Sequence, residues 1–300
     1  MLEPIPLTSD VIDYVEAVFG AANRRVTGRL DRMPTVHEEA LDLALIDAIA
    51  EGHGPHLTPS GTIVDVDVHF VGGGRHWRRW EIADIGFIVN FRQGDRLLRT
   101  KVALLQSKRL YPRESEFVED EGIDRPGGFG SLMRPSLPAA TGPRLFRFDE
   151  TCRYKALQVG DEQWHAIAQY EEKFGLPVHY MLYHPRDLPV AIAIPAVLPL
   201  TQSGGLPRVG VRVVSAKDLR SAVVSQPRNY APSYADLAEV DGSLGNPLQA
   251  FVVEGILACR EGYVVEEDDS NEGLMRVFNE RSAPIAAALR IDIILPHDAD

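Results

Sequence analysis

Two strand-like segments joined by a short polar stretch give the first half of the sequence its clearest local structure. They are WEIADIGFIVNF (80–91) and KVALLQSKRLY (101–111), both rich in the aliphatic, β-branched and aromatic residues that strands favour. The stretch between them, RQGDRLLRT, contains the dipeptide Gly94-Asp95, which is typical of a tight turn. The pattern predicts an antiparallel β-hairpin.

The hairpin fixes which polar side chains can meet. A turn centred on Asp95 would place Asp84 directly across from Gln106. Side chains alternate between the faces of a strand, so Lys108 shares the face of Gln106, and opposed residues have Cβ atoms roughly 4.5 to 5.5 Å apart. One face is therefore predicted to gather Asp84, Gln106 and Lys108, although a bulge or a longer turn would change this register.

Further elements are predicted on both sides of the hairpin. A helix is expected over Ser9–Arg25 with Ser9 as N-cap, and Thr35 with Glu38 forms a T-x-x-E capping box before the apolar run 40–50. The other predicted elements are a strand over 62–70, a strand near Thr151–Leu157, a helix over Asp161–Phe174 and a strand over 177–185.

The order of elements predicts an α/β fold with a mixed sheet flanked by helices. A chain of 300 residues can bury a large core. We expect a first domain over residues 1–185, interrupted by a Gly/Pro-rich insertion at about 112–150. Residues 186–300 then form an additional C-terminal α+β region, which contains no catalytic signature.

Charge separates one part of the chain from the rest. The formal net charge is -12, which argues against a protein that coats nucleic acid, yet residues 75–113 carry ten basic and three acidic side chains, a local balance of +7. This segment is either a phosphate-binding surface or a hairpin whose arginines pair with acids elsewhere. No apolar run is long enough to cross a membrane, and the start of the chain does not resemble a signal peptide, so a cytoplasmic location is expected.

The residue types on the predicted hairpin face suit phosphodiester hydrolysis. That reaction uses a hard cation to polarise the phosphate and a group that orients the attacking water. An Asp carboxylate and a Gln carbonyl can ligate Mg²⁺ or Mn²⁺, and a Lys can stabilise developing charge. The short pattern alone is unspecific, because a similar tripeptide, Glu171-Glu172-Lys173, recurs in a predicted helix.

ADIGFIV followed by VALLQSKRLY resembles the core of the PD-(D/E)xK nuclease superfamily, in its Q-x-K variant. LLQSKRLY is particularly similar to the strand of restriction enzymes that cut modified DNA. The resemblance spans about 35–185 and implies a restriction-endonuclease-like fold, with Asp84, Gln106 and Lys108 as catalytic residues and Asp84 and Gln106 as metal ligands. An acid from the upstream helix commonly joins such sites, and Glu38 is favoured for this role over Glu39.

The sequence departs from the superfamily pattern at two positions. Gln106 replaces the usual acid, and Ala83 stands where a proline is expected before the Asp. The implied function is a Mg²⁺- or Mn²⁺-dependent endonuclease acting on DNA, in restriction or anti-phage defence, with Arg109 and nearby arginines steering phosphate. The acidic chain suggests that a homo-oligomer or an activating partner is needed. The alternative is a non-catalytic adaptor or sensor with the same fold.

Other polar and aromatic groups are expected to be structural. Asp65, Asp67 and His69 alternate along one predicted strand and fit its solvated face better than a metal cluster. Four aromatic residues after the insertion are expected in the core or on the sheet: Trp164, Tyr170, Tyr180 and Tyr183. The two cysteines lack the spacing of a zinc site.

Overall fold

The computed structural model describes residues 5–70, 82–114, 144–194, 205–238, 244–265, 272 and 287–296. Its helices are α1 (Ser9–Arg32), α2 (Glu38–Ala50), α3 (Glu162–Phe174), α4 (Ala216–Ala222), α5 (Tyr234–Ala238) and α6 (Leu248–Ala250), which continues into a π-helix (Phe251–Leu257). No helix in these ranges is long and apolar enough to cross a membrane.

The strands are β1 (Gly54–Leu57), β2 (Ile63–Phe70), β3 (Ile85–Gln93), β4 (Arg96–Arg109), β5 (Arg113–Glu114), β6 (Arg144–Phe148), β7 (Val178–Tyr183), β8 (Val190–Ile194), β9 (Arg212–Ser215), β10 (Asn246–Pro247), β11 (Tyr263–Val265) and β12 (Ala287–Leu295). Within the described residues, nine of them form a mixed sheet in the order β1-β2-β12-β3-β4-β7-β9-β10, with β11 paired to β4. The other three, β5, β6 and β8, form a small separate sheet.

The predicted hairpin is confirmed, and its register is the expected one near the site. Ile85 pairs with Leu105, and the backbone N–H of Asp84 donates to the Leu105 carbonyl at 2.8 Å. At the other end the turn residues are Gly94 and Asp95, and Gly94 has a φ of 56° that favours glycine. A register shift next to Phe91 adds one residue on β4 and keeps Asp84 opposite Gln106.

Helices cover both faces of the large sheet, as the predicted α/β class requires. On one face, α1 and α2 pack side chains such as Phe19 and Leu45 against the Phe87 side of β3. On the other, α3 and α4 pack Ile167 and Leu219 against alternate residues of β4 and β7. This placement follows from the period-2 alternation of the strands, which sends successive apolar side chains to opposite layers.

The expected boundary at residue 185 does not coincide with a break in the sheet. β12 lies between β2 and β3, antiparallel to the first and parallel to the second. β7 is parallel to β4, and β9 continues the sheet beyond β7. Strands from the C-terminal region are therefore part of the same sheet that carries the predicted hairpin.

Three local predictions were wrong. α1 ends at Arg32 rather than Arg25, because Val26 and Leu30 continue its buried stripe. Its N-cap is Thr8, not Ser9. The capping box is absent. α2 begins at Glu38 after His37, and the Glu38 side chain accepts a hydrogen bond from the Arg109 backbone N–H.

The predicted strand Thr151–Leu157 is a turn-rich segment with an isolated bridge at Arg153. Its apolar side chains Cys152, Tyr154 and Leu157 are nevertheless buried, which explains why their spacing resembled a strand. The strand of this region lies earlier, at β6. Of the predicted insertion, residues 115–143 lie outside the described residues, as do Arg75, Arg78 and Arg79 of the cationic segment.

Candidate active site at the end of strand β4

The C-terminal end of β4 brings the predicted hairpin residues together. Asp84, directly before β3, accepts two hydrogen bonds on Oδ2: from Gln106 Nε2 at 2.5 Å and from the Ser107 backbone N–H at 2.6 Å. Gln106 is 3% exposed and Lys108 is 5% exposed, so the residues of the Q-x-K element are buried. The contacts hold the Asp84 carboxylate in one orientation beside β4.

Glu38 joins this group from the first turn of α2. Its Oε1 accepts the Arg109 backbone N–H at 3.0 Å, and its Oε2 lies 3.9 Å from Lys108 Nζ. Glu39 is exposed. The structure thus brings all four predicted site residues to one end of the sheet, and it selects Glu38 over Glu39 as the helical acid beside Lys108.

Asp42 and Tyr183 were not predicted as site residues. Asp42 Oδ1 accepts hydrogen bonds from Ser107 Oγ and from Tyr183 Oη, both at 2.5 Å. Tyr183 ends β7, the parallel neighbour of β4. The available sequence signal was the Glu38–Asp42 spacing, because residues four apart lie on the same face of a helix.

Three acids and one lysine in a buried place give the site unusual electrostatics. Burial raises the pKa of Asp42 well above its usual value, and repulsion from Asp84 adds to the shift. Burial also raises the pKa of Asp84 and of Glu38, in each case against the opposing effect of Lys108. Such carboxylates cost folding free energy when ionised, which a bound cation would offset.

An unpartnered oxygen lies beside these acids. Gln106 Oε1 is buried and has no hydrogen-bond partner among the described residues. Buried polar atoms are normally satisfied, so such an atom calls for a donor or a cation. Carboxylate and amide oxygens are the ligands that Mg²⁺ takes, usually few of them with several waters retained. Asp84, Gln106 and Glu38 thus bring oxygen atoms of the kind that Mg²⁺ takes to the end of β4.

Carboxylates alone do not provide a complete ligand set. Across the ranges that the structure describes, no group of three or more His, Cys, Asp or Glu side chains is arranged to hold a metal ion. Asp67 and His69, which were interpreted as part of a solvated strand face, make ion-pair contacts there. Asp67 Oδ2 lies 3.1 Å from His69 Nε2 and 3.3 Å from Arg290 Nη2. A cation at the end of β4 would need the amide oxygen of Gln106 or water molecules in addition to the carboxylates.

The cationic segment does not form one exposed surface in the described residues. Lys101 is buried and donates to the carbonyls of Ile256 and Glu261, and Arg92 lies 3.7 Å from Asp292. Arg109, expected to steer phosphate, is 1% exposed. β4 directs this side chain under the start of α2, where its guanidinium donates to the carbonyls of Pro34 and Val36.

Comparisons of this chain with protein-family models, with curated proteins and with solved structures find no match.

Proposed function

We propose that this chain is a metal-dependent endonuclease that hydrolyses DNA phosphodiester bonds with Mg²⁺ or Mn²⁺. The observation that carries the proposal is the convergence of Asp84, Gln106, Lys108 and Glu38 at the end of β4. These groups supply oxygen ligands on one side and an ammonium group on the other. The resemblance to the Q-x-K nucleases favours modified DNA as substrate and a role in restriction or defence.

Each residue has a defined task in this proposal. Asp84 and Gln106 would hold the cation, with Glu38 as a further carboxylate; when bound, the cation polarises the phosphate and acidifies its water. Lys108 would stabilise the charge that builds up as the water oxygen bonds to phosphorus. The attacking water would lose its proton to solvent, the bond to the leaving sugar oxygen would break, and that oxygen would take up a proton from solvent.

A cleavage assay tests this function. Supercoiled plasmid, linear duplex and single-stranded DNA, with and without modified bases, are incubated with Mg²⁺ or Mn²⁺ and either the wild type or Lys108→Ala. Lys217→Ala, which removes an exposed lysine on α4, is the matched control. Cleavage by the wild type and the control, lost in Lys108→Ala, supports the nuclease. Equal cleavage by all three, or none by the wild type, contradicts it.

One observation favours a non-catalytic adaptor or sensor as a second candidate. Gln106 stands where the superfamily pattern has an acid, and Gln106 and Lys108 are almost completely buried. A cation that binds the folded state raises the unfolding temperature. The nuclease predicts such a rise with Mn²⁺ in the wild type and its loss in Asp84→Asn, whereas the adaptor predicts no rise in either protein.

A further inference from the structure

A basic groove opens beside the candidate site. Its volume is about 480 Å³, and its lining includes Thr35, Arg109, Tyr111, Arg113, Arg153 and Lys155; none of the described residues that line it is an acid. Arg109, which lines the groove, donates its backbone N–H to Glu38 Oε1 of the candidate site at 3.0 Å. The groove and the candidate active site therefore meet at the end of β4.

In the described residues, three of the four groove cations contact carbonyl groups or aromatic rings and make no direct hydrogen bond to a carboxylate. The buried Arg109 guanidinium donates to the backbone carbonyls of Pro34 and Val36 instead of to a carboxylate, and its Nε has no hydrogen-bond partner among the described residues. Carbonyl groups satisfy the donors of a guanidinium without cancelling its charge. This buried cation therefore contributes a positive field to the groove.

The next two cations make no direct hydrogen bond to a carboxylate in the described part of the chain, and Asp236 lies within electrostatic range of Arg153. Arg153 donates to the Ala231 carbonyl at 2.6 Å and lies over the Tyr230 ring, with 4.7 Å from its Cζ to the ring centroid. Lys155 is exposed, and its Nζ lies 5.6 Å from the centroid of the Tyr111 ring. Arg113 differs from these cations because it makes a direct ion pair, with Asp149.

We propose that the basic groove binds the phosphodiester backbone of a nucleic-acid strand and leads that strand to the end of β4. The cations lie along a space larger than one phosphate group, and Tyr111 and Phe146 offer aromatic surface against which sugars and bases can pack. In a chain of net charge -12, this groove supplies the local positive field that phosphate needs. What happens to the strand there depends on the proposed nuclease function, but its binding does not.

Lys155 offers a clean test because it is exposed and makes no hydrogen bond in the described structure. Binding of short fluorescein-labelled duplex and single-stranded DNA is followed by fluorescence anisotropy in EDTA, over a series of salt concentrations. The proteins are the wild type, Lys155→Gln, Lys155→Glu and Lys217→Gln. The two glutamine variants remove the same charge from an exposed lysine, so the overall charge change is matched. Thermal unfolding checks that all variants are folded.

Each contact between a lysine and a DNA phosphate adds a known amount to the salt dependence of the binding constant. Lys155→Gln should weaken binding by a similar factor for every base sequence and reduce the slope of log K against log salt by about one, whereas Lys217→Gln should change neither. Lys155→Glu should weaken binding further. Equal effects of the Lys155→Gln and Lys217→Gln variants, or no DNA binding by the wild type, would overturn the assignment.

The same experiment separates an acidic protein partner from nucleic acid. Poly-glutamate that competes with DNA as effectively per charge would assign the groove to an acidic partner and overturn the proposal. EDTA keeps this outcome independent of cleavage. Lys155-dependent binding without metal-dependent cleavage would support the groove and contradict the nuclease. Cleavage that is unaffected in Lys155→Gln would support the nuclease and contradict the groove.

Discussion

His184 should make the protein less stable as the pH falls below neutrality. The ring is 1% exposed, its Nδ1–H donates to the Gly210 carbonyl at 2.6 Å, and its Nε2 accepts from Tyr154 Oη at 2.5 Å. Both ring nitrogens are therefore satisfied when the imidazole is neutral. Burial lowers the pKa of His184 from 6.5 to about 3.

The direction and size of the effect follow from this shift. As the pH falls through 6.5 the unfolded chain takes up a proton, while the folded protein does so only near the folded-state pKa of about 3. The stability contributed by the neutral ring is thus present above pH 6.5 and lost between the two values. Compared with a pH well above 6.5, pH 5.5 shifts the folding equilibrium toward the unfolded state by a factor of about eleven, or about 1.4 kcal/mol.

Urea unfolding followed by tryptophan fluorescence at pH 8 and pH 5.5 measures this difference. His184→Gln cannot titrate, so its free energy of unfolding should change between the two pH values by about 1.4 kcal/mol less than that of the wild type. His165→Gln, which removes an exposed imidazole on α3, is the control. If the free energy of unfolding changes equally with pH in the wild type and in His184→Gln, the inference that His184 is neutral in the folded protein is refuted.

Three further predictions concern the site and its support. Asp42→Asn should raise the unfolding temperature at pH 8, because the raised pKa of Asp42 means that its ionised form costs stability; a gain that does not shrink toward low pH would contradict this. Gly245→Ala should destabilise by more than about 1 kcal/mol in urea unfolding, because φ is 58° and the new Cβ would lie 2.3 Å from the Val213 carbonyl oxygen; an unchanged midpoint would refute the clash. Asn23→Ala should lower the free energy of unfolding by about 1 to 3 kcal/mol in the same assay, because it leaves the buried Val211 N–H without its acceptor. Ser221→Ala, at an exposed position of α4, should lower it less.

The hairpin and its polar face could be predicted because the signals are local. Strand propensity, the Gly94-Asp95 turn and the alternation of side chains all lie within about thirty residues of sequence. They place Asp84 opposite Gln106 even though the turn is tighter than assumed and a bulge compensates for it. An element can be predicted from a single sequence when its local signals agree with one another in this way.

The rest of the site depends on contacts between distant residues. The Tyr183–Asp42 hydrogen bond joins residues 141 positions apart, and no sequence pattern indicates it. Glu38 fitted a capping box equally well, because an acid at that position suits both a helix start and a metal site. The place of β12 was also unpredictable, since its alternating pattern fits any position in a sheet.

The position of β12 affects when the protein can fold during its synthesis. The β3–β4 hairpin emerges from the ribosome early, yet the other edge of β3 obtains its partner only after residue 295 has been made. Until then, β2 and β3 present open edges that can pair with another nascent chain. Long-range pairing of this kind slows folding and favours chaperone dependence. A protein assembled in this way would acquire its completed sheet only after β12 has been translated.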